Sequence, residues 1–265
     1  MDHIIELNKK FWEAQSNYFI NTAYKGGRLI PNLSKLERFY AQNIKGKTLH
    51  PFCNFGMNTF CLEQYSNDIT GLDFSTTSIS FANSYKNNTK SKAKFILSNF
   101  FEFTTSDKFD SIFISYGVLD WVVDLNLFFE KVNELLKPGG QLIILEYHSN
   151  FYKELIKEYN GKKLENNLYE IHWNLTDYQN NPTKSIYGNG RTILKKNISA
   201  KIALHETDIF LQTSKEYGFK IDSLNYYNYT EFQQSSLDKK LDNKKYYKGE
   251  YDDTKPMTFG AILKK

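Results

Sequence analysis

Short apolar runs alternate with amphipathic segments between Lys47 and Glu146. The clearest run covers residues 109–115, an amphipathic stretch follows over 125–137, and a Pro-Gly-Gly turn then precedes a second apolar run that ends at Glu146. Continuous apolar runs of this length are typical of strands that are buried on both faces of a parallel sheet. The pattern therefore predicts an α/β fold in which helices cover the sheet.

Further elements follow from the same pattern. Strands are predicted at 48–52, 68–72 and 93–97, with helices over about 57–65 and 75–85 between them. Ser75 is placed to cap the second of these helices. The last part of the chain predicts a helix at 206–217 that ends at Gly218, strands at 219–227 and 257–263, and a solvated, lysine-rich loop at 238–255.

The length of 265 residues suits one domain with additions. We expect residues 1–43 to form a helical cap, 47–146 the core of the sheet, 147–205 an insertion after the fifth strand, and 206–265 the end of the sheet. No repeat and no linker-like stretch divides the chain.

Charge and cysteine content exclude several classes of protein. The net charge of +4 comes from 34 basic and 30 acidic residues that are interleaved, so no basic block predicts a nucleic-acid partner. The two cysteines, Cys53 and Cys61, have no zinc-ligand spacing, and they predict neither a metal site nor a disulfide framework. No apolar run predicts a membrane span, and the N-terminus lacks the pattern of a secretion signal. We expect a cytoplasmic protein.

The candidate chemistry begins at Asp73, which follows the second strand 17 residues after Gly56. In nucleoside-binding α/β domains a carboxylate at this position binds the ribose hydroxyls. An acidic residue at the end of a buried strand is costly without a ligand or hydrogen-bond donors, which favours a functional role. The turn after the first strand has one glycine where dinucleotide folds have three, which argues against a bound pyrophosphate. The natural ligand is then a nucleoside with a non-phosphate tail. S-adenosylmethionine is the commonest molecule of this kind.

Four segments together resemble the class I S-adenosylmethionine-dependent methyltransferases. Residues 71–75, Gly-Leu-Asp-Phe-Ser, are similar to the ribose-binding motif, and 136–140, Leu-Lys-Pro-Gly-Gly, match the turn before the fifth strand. Residues 116–121 resemble the fourth motif of a branch whose acceptors are often small molecules. Residues 48–56 resemble the glycine-rich motif but carry His50, Phe52 and Asn54 in place of the usual acidic residue and glycines.

The resemblance implies a Rossmann-like three-layer αβα sandwich with a seven-stranded, mostly parallel sheet whose last strand is antiparallel. It implies S-adenosyl-L-methionine as the cofactor, bound by the core at 47–146, and transfer of its methyl group to a nitrogen or oxygen of a small molecule. It also implies that the helical cap and the insertion at 147–205 form the acceptor side. Asp120 and Trp121 lie where family members line the cofactor, and Tyr116 lies near the methyl group. The expected cofactor-binding residues are Trp12, Tyr18, Phe52, Gly56, Asn58, Thr59, Asp73, Phe74, Ser75, Ser78, Asn99, Phe100, Tyr116 and Trp121.

Catalysis is expected to involve His148 and Tyr116. His148 follows the fifth strand and has a suitable ordinary pKa for a base or an acceptor-orienting group, with His172 and His205 as alternatives. Trp12, Tyr18, Tyr116 and Trp121 also fit a role in packing alone.

Two other functions stay open. The altered glycine motif fits a non-catalytic S-adenosylmethionine- or nucleoside-binding protein. A nicotinamide-dependent oxidoreductase would need the phosphate-binding glycines that are missing. Residues 115–117 also differ from the Asn/Asp-Pro-Pro-Tyr sequence of enzymes that methylate DNA bases.

Overall fold

A seven-stranded sheet forms the centre of the protein in a computed structural model, which describes residues 2–19, 31–174, 197–232, 238–242, 245–250 and 252–265. The strands of this sheet are β1 (Lys47–Pro51), β2 (Asp68–Asp73), β3 (Lys94–Leu97), β4 (Phe109–Ser115), β5 (Leu136–Tyr147), β9 (Lys220–Tyr227) and β12 (Thr258–Lys264). Their order is β3-β2-β1-β4-β5-β12-β9. β1 to β5 pair in parallel, while β12 is antiparallel to both of its neighbours.

Seven α-helices are present in the described parts of the chain. They are α1 (Asp2–Phe19), α2 (Lys35–Ala41), α3 (Met57–Leu62), α4 (Thr76–Asn87), α5 (Leu125–Leu135), α6 (Ser149–Glu158) and α7 (Thr207–Glu216). A short 3-10 helix at Leu119–Trp121 follows β4.

Apolar side chains fill both faces of the sheet. On one face, Phe128, Phe129 and Val132 of α5 pack with Phe210 of α7 against the strands. On the other face, Leu36 and Tyr40 of α2 belong to a second cluster of buried side chains. Because alternate residues of each central strand point to opposite faces, both clusters draw on the same apolar runs. This packing confirms the predicted α/β fold class and three-layer architecture.

Local signals in the sequence explain where several elements begin. Ser75 caps α4, since its hydroxyl accepts a hydrogen bond from the backbone N–H of Ser78 at 3.1 Å. Ser34 and Glu37 form a reciprocal capping box at the start of α2. Gly218 follows α7 with a φ of 85°, a left-handed conformation that glycine adopts without strain.

The insertion after β5 contains a second sheet. It consists of β6 (Lys162–Lys163), β7 (Leu168–Asn174) and β8 (Asn197–Ala203), paired antiparallel in that order. The side chain of Asn8 in α1 makes two hydrogen bonds with the backbone of Lys201 in β8. Its Nδ2 donates to the Lys201 carbonyl at 2.8 Å, and its Oδ1 accepts from the Lys201 N–H at 3.0 Å. The N-terminal helix is thereby joined to the insertion.

The prediction of a solvated loop at 238–255 is wrong. Within the described residues there, β10 (Lys239–Asp242) and β11 (Lys245–Tyr247) pair antiparallel. Asp238 and Lys248 are buried and form an ion pair at 2.9 Å, and Lys248 also pairs with Glu158 of α6. Charged residues suggest solvent exposure in a sequence, but partners distant in the chain make their burial possible here.

Candidate functional site

The carboxylate of Asp73 lies at the end of β2, beside the turn that follows β1. It accepts hydrogen bonds from the backbone N–H groups of Asn54 at 2.8 Å and Ser75 at 2.9 Å. Burial raises the pKa of Asp73 to about 6, while the backbone donors act in the opposite direction. An ionised carboxylate accepts about four hydrogen bonds, so Asp73 has capacity left for two hydroxyls of a ligand.

The turn after β1 keeps glycine-like backbone conformations without the glycines. Phe52 and Asn54 have φ values of 55° and 50°, in the left-handed region that non-glycine residues rarely adopt. The Asn54 side chain compensates in part, because its Oδ1 accepts a hydrogen bond from the Ser78 hydroxyl at 3.0 Å. Asparagine also tolerates this region better than most residues. The altered motif therefore retains the shape of a glycine-rich turn.

His50 occupies the position of the usual acidic residue and is uncharged at neutral pH. Burial lowers its pKa to about 4, and its Nδ1 lies 2.8 Å from the hydroxyl of Thr59. Both side chains are buried. Thr59, predicted to contact the cofactor, thus contacts His50 beneath the turn.

Gly56 and Phe100 also face the protein interior. A Cβ added to Gly56 would lie 2.5 Å from Cε1 of Phe95, and the φ of Gly56 is 79°. Close packing and conformation both require glycine there. Phe100 is buried against Phe52 and Phe128, with ring centroids 5.1 and 5.8 Å apart. For these two predicted cofactor residues the observed contacts are with the core.

An aromatic cavity lies next to Asp73 at the strand ends. It measures about 30 Å³, which leaves room for water but not for a nucleoside. Its lining includes the predicted residues Phe52, Phe74, Asn99 and Trp121. Three predicted aromatic rings and a side-chain amide are therefore brought together beside the carboxylate.

Helix α1 covers this cavity and is fixed at several points. The Glu13 carboxylate accepts hydrogen bonds from the backbone N–H groups of Thr76 and Thr77, at 2.5 and 3.3 Å. The hydroxyls of Ser16 and Ser78 lie 2.7 Å apart. These contacts attach α1 to the first turn of α4, directly above Ser75 and Asp73.

Aromatic stacking adds to the cover. The ring of Trp12 meets that of Trp121 edge-on at 5.1 Å, and Phe11 stacks on Trp121 at 5.4 Å. Trp12 and Trp121 are thus brought together as predicted. The side chain of Tyr18 lies outside the part of the chain that the structure describes.

Tyr116 and Asn58 lie on the α2 side of the strand ends. The Tyr116 hydroxyl donates to Glu231 at 3.2 Å, and Asn58 Nδ2 donates to Glu37 at 2.6 Å. Ser115, at the end of β4, donates to the same oxygen of Glu37 at 2.9 Å. Burial raises the pKa of Glu37, against the lowering effect of the hydrogen bonds from Ser34 and Ser115. Two glutamates distant in sequence, Glu37 and Glu231, therefore bind the side chains at the end of β4.

The turn after β4 is held by the buried carboxylate of Glu146. It accepts hydrogen bonds from the backbone N–H groups of residues 117, 118 and 119 at 2.6, 2.7 and 3.2 Å. The hydroxyl of Tyr152 lies 3.1 Å from Glu146 and 3.3 Å from Asp120. Burial and the charge of Glu146 raise the pKa of Asp120 well above its usual range. Asp120 is thus a buried partner of Tyr152 and is not among the residues that line the cavity.

His148 lies at the β9 side of the sheet, away from Asp73. Its ring meets Tyr226 of β9 at 5.6 Å, and its Nδ1 accepts the backbone N–H of Asn150 as the N-cap of α6. Burial lowers its pKa to about 4. The cap occupies the free lone pair of the neutral ring, so catalysis as a base would require its release. The base role stays a prediction.

The two alternative histidines are also engaged. His172 Nδ1 lies 2.9 Å from the Ser199 hydroxyl on the second sheet. His205 places its two ring nitrogens against Val122 O and Asn167 Nδ2. Neither lies among the residues that surround Asp73.

Neither a cluster of metal ligands nor a membrane span is found among the described residues. No group of three or more His, Cys, Asp or Glu side chains there is placed to hold a metal ion. None of the described helices is both long and apolar enough to cross a membrane.

Comparisons with known proteins agree with this geometry. Residues 44–190, more than half of the chain, match the family model described as "Methyltransferase domain". No curated protein matches the chain. The chain belongs to this methyltransferase family and is a class I enzyme that uses S-adenosylmethionine as its cofactor.

Solved structures share the fold at low sequence identity. An S-adenosylmethionine-dependent methyltransferase from Clostridium acetobutylicum is 14% identical, with a TM-score of 0.59 over 86% of this chain and 88% of that one. DhpI, solved with S-adenosylhomocysteine, is 16% identical, with a TM-score of 0.58 over 99% and 97%. The N-methyltransferase NodS from Bradyrhizobium japonicum is 12% identical, with a TM-score of 0.50 over 86% and 83%.

Proposed function

We propose that this enzyme transfers a methyl group to a nitrogen or oxygen of a small molecule, and that Asp73 binds the ribose of its cofactor. The observation that carries the proposal is the position of the Asp73 carboxylate. Its two backbone donors hold it at the strand end, and its remaining lone pairs suit a pair of vicinal hydroxyls. Phe74 and Phe52 then flank the base, with Asn99 at its polar edge.

Cofactor binding requires α1 to move away from the sheet. The cavity of about 30 Å³ is far below the several hundred Å³ of an ordinary small-molecule site. Of the elements around it, α1 is held by hydrogen bonds at Asn8, Glu13 and Ser16 and by the contacts of Phe11 and Trp12 with Trp121. The hydrogen bonds exchange for water at modest free-energy cost, while the aromatic contacts have to be replaced by contacts with the cofactor.

Positioning is the main catalytic task that the chain has to perform. When bound, the cofactor supplies an electrophilic methyl group, and the acceptor atom has to approach it in line with the bond that breaks. Tyr116, whose position is fixed by the Glu146-bound turn, lies at the end of β4 where it can orient an acceptor. Burial and two nearby carboxylates raise the pKa of Tyr116, so its hydroxyl remains a donor at neutral pH.

A small acceptor is supported by the way the chain covers its own cleft. α1 and the second sheet lie over the strand ends, and the Asn8–Lys201 bonds join them. We expect α1 to move only far enough to admit the cofactor, which leaves a small opening for the acceptor. NodS is described as an N-methyltransferase, and DhpI was also solved as a complex with S-adenosylmethionine and HEP.

The experiment supplies methyl-labelled S-adenosylmethionine and a cell extract divided by ultrafiltration into low- and high-molecular-mass fractions. We expect label to enter the low-mass fraction only with the active enzyme. The Asp73→Ala variant serves as the negative control. Label that enters protein or nucleic acid instead would overturn the small-molecule proposal.

A further inference from the structure

Two other aromatic rings contact the ring of Tyr116 at the end of β4. Its ring lies 5.0 Å from that of Tyr147 and meets that of Phe232 edge-on at 5.2 Å. Its hydroxyl donates to Oε2 of Glu231 at 3.2 Å. A carboxylate and aromatic faces therefore stand together at one point of the acceptor side.

The Glu231 carboxylate is held in place by the backbone and not by a cation. Both of its oxygens accept from the N–H of Leu36, at 3.1 and 3.0 Å. Among the described residues, none of the ion pairs involves Glu231. The donors that the structure describes at this carboxylate, the Leu36 N–H and the Tyr116 hydroxyl, are neutral, so the carboxylate attracts a cation.

A lysine of the chain makes a cation–π contact with a tyrosine that is close to Glu231 in sequence. Nζ of Lys245 lies 4.7 Å from the ring centroid of Tyr229, two residues before Glu231. This distance is within the range of a cation–π interaction. The observation is independent of the carboxylate and concerns the same chemical group.

We propose that the methyl acceptor is a small amine, bound as its ammonium ion by Glu231 and the faces of Tyr116 and Phe232. This inference rests on the proposed methyltransferase function and narrows its acceptor class. Carboxylates, phosphonates and phenolates are disfavoured, because the Glu231 carboxylate repels anions. A neutral alcohol gains neither the charge nor the cation–π contribution.

The reaction balances with the groups present. The bound ammonium gives one proton to the Glu231 carboxylate, which frees the nitrogen lone pair. That pair forms the new N–C bond while the methyl–sulfur bond breaks and its electrons remain on sulfur. The product leaves as an N-methylated ammonium ion, and Glu231 returns its proton to solvent.

The test uses calorimetry on the full-length protein saturated with S-adenosylhomocysteine. Within each of two series the probes differ only in the end group: 2-phenylethylamine, 2-phenylethanol and 3-phenylpropanoate form one series, and butylamine, butanol and pentanoate form the other. We expect each amine to bind at least about tenfold more tightly than its alcohol and acid. Equal binding of the three end groups, or no amine binding in either series, overturns the proposal.

Variants assign the preference to its residues. Glu231→Gln keeps an oxygen that can accept from Leu36 N–H but removes the charge, and it should abolish the preference for amines. Glu130→Gln makes the same change on the exposed face of α5 and should have no effect. Phe232→Leu removes one aromatic face without touching the carboxylate, and it should weaken amine binding several-fold. A preference that persists in Glu231→Gln contradicts the assignment.

The same titrations separate this inference from the function on which it rests. If S-adenosylhomocysteine fails to bind, the methyltransferase function fails, while amine titrations without it still test the ammonium site. If S-adenosylhomocysteine binds and the amine preference is missing, only the inference fails.

Discussion

The backbone N–H of Asn54 donates a hydrogen bond to Oδ2 of Asp73 at 2.8 Å, which joins the turn after β1 to the end of β2. The turn therefore supports the carboxylate directly. Because Asn54 stands where the family has glycine, the support survives a substitution that alters the motif. Binding of the ribose should depend on this pair more than on the number of glycines.

The Asp73→Ala variant should bind S-adenosylhomocysteine more than tenfold more weakly. The loss of charge-assisted hydrogen bonds to two hydroxyls corresponds to about 1.4 kcal/mol or more. Isothermal calorimetry measures the change. Asp68→Ala, at the opposite end of β2 in an exposed ion pair with Lys94, is the matched control and should leave affinity unchanged. An unaltered affinity in Asp73→Ala would remove Asp73 from the site.

Cofactor affinity should fall as the pH drops through about 6. Burial raises the pKa of Asp73 to about 6, and only its ionised form accepts hydrogen bonds with both oxygens. Above this pH the affinity is at its maximum, and below it the affinity declines by up to about tenfold per pH unit. Calorimetry between about pH 5 and 8 tests this dependence. The Asp73→Asn variant should show no such decline, and a decline that persists in it would assign the titration to another group.

Gly56→Ala should destabilise the protein by about 2–4 kcal/mol. The positive φ accounts for about 1 kcal/mol, and the rest comes from the overlap with Phe95. Gly139→Ala is a matched control, because Gly139 has a φ of 76° but open space at its Cβ, so it should lose about 1 kcal/mol only. Denaturant unfolding measures both. Equal losses in the two variants would show that Phe95 moves aside freely.

Glu146→Gln should destabilise the protein by about 2–3 kcal/mol and weaken order in the turn after β4. The glutamine amide has only one oxygen to accept from the three consecutive N–H donors. Its NH₂ group would face a backbone N–H that then has no acceptor. Tyr152→Phe removes a single hydroxyl from the same carboxylate and should lose about 1 kcal/mol. Thermal and denaturant unfolding compare the variants. A Glu146→Gln protein as stable as Tyr152→Phe would contradict the role assigned to the carboxylate.

The two roles of His148 can be separated by substitution. As the N-cap of α6, His148→Ala should lose about 1 kcal/mol, while His148→Asn should keep most of the stability, since asparagine is a good N-cap. As a base, the residue would be needed for turnover in both variants, with cofactor affinity little changed. If His148→Asn keeps both its stability and its turnover, the capping role alone remains.

The sequence predicts those parts of the site that depend on local order. Asp73 and Ser75 are recognisable because one ends an apolar run and the other begins an amphipathic one. Glu146 gives the same signal as Asp73, at the end of the fifth strand, and could have been identified by the same reasoning. Its ligand, however, is the backbone of the preceding turn, which no periodicity reveals.

Other parts of the site depend on contacts between distant positions. Glu37 meets Ser115, and Tyr116 meets Glu231, across separations of 78 and 115 residues. The capping box at Ser34 predicts the start of α2 but not that Glu37 also borders the cleft. For His148 the sequence predicts the position, directly after the fifth strand. It does not predict the direction of the ring, which packs against Tyr226 of β9.

The bonds between Asn8 and Lys201 span 193 residues of chain. They lie outside the seven-stranded sheet and depend on one side chain, so they can break without disturbing that sheet and belong to a less protected part of the native state. In hydrogen exchange, the amide of Lys201 should therefore exchange well before those of β4 and β5. The cover of the cleft can then open many times during the lifetime of the folded sheet, so ligand exchange does not require the protein to unfold.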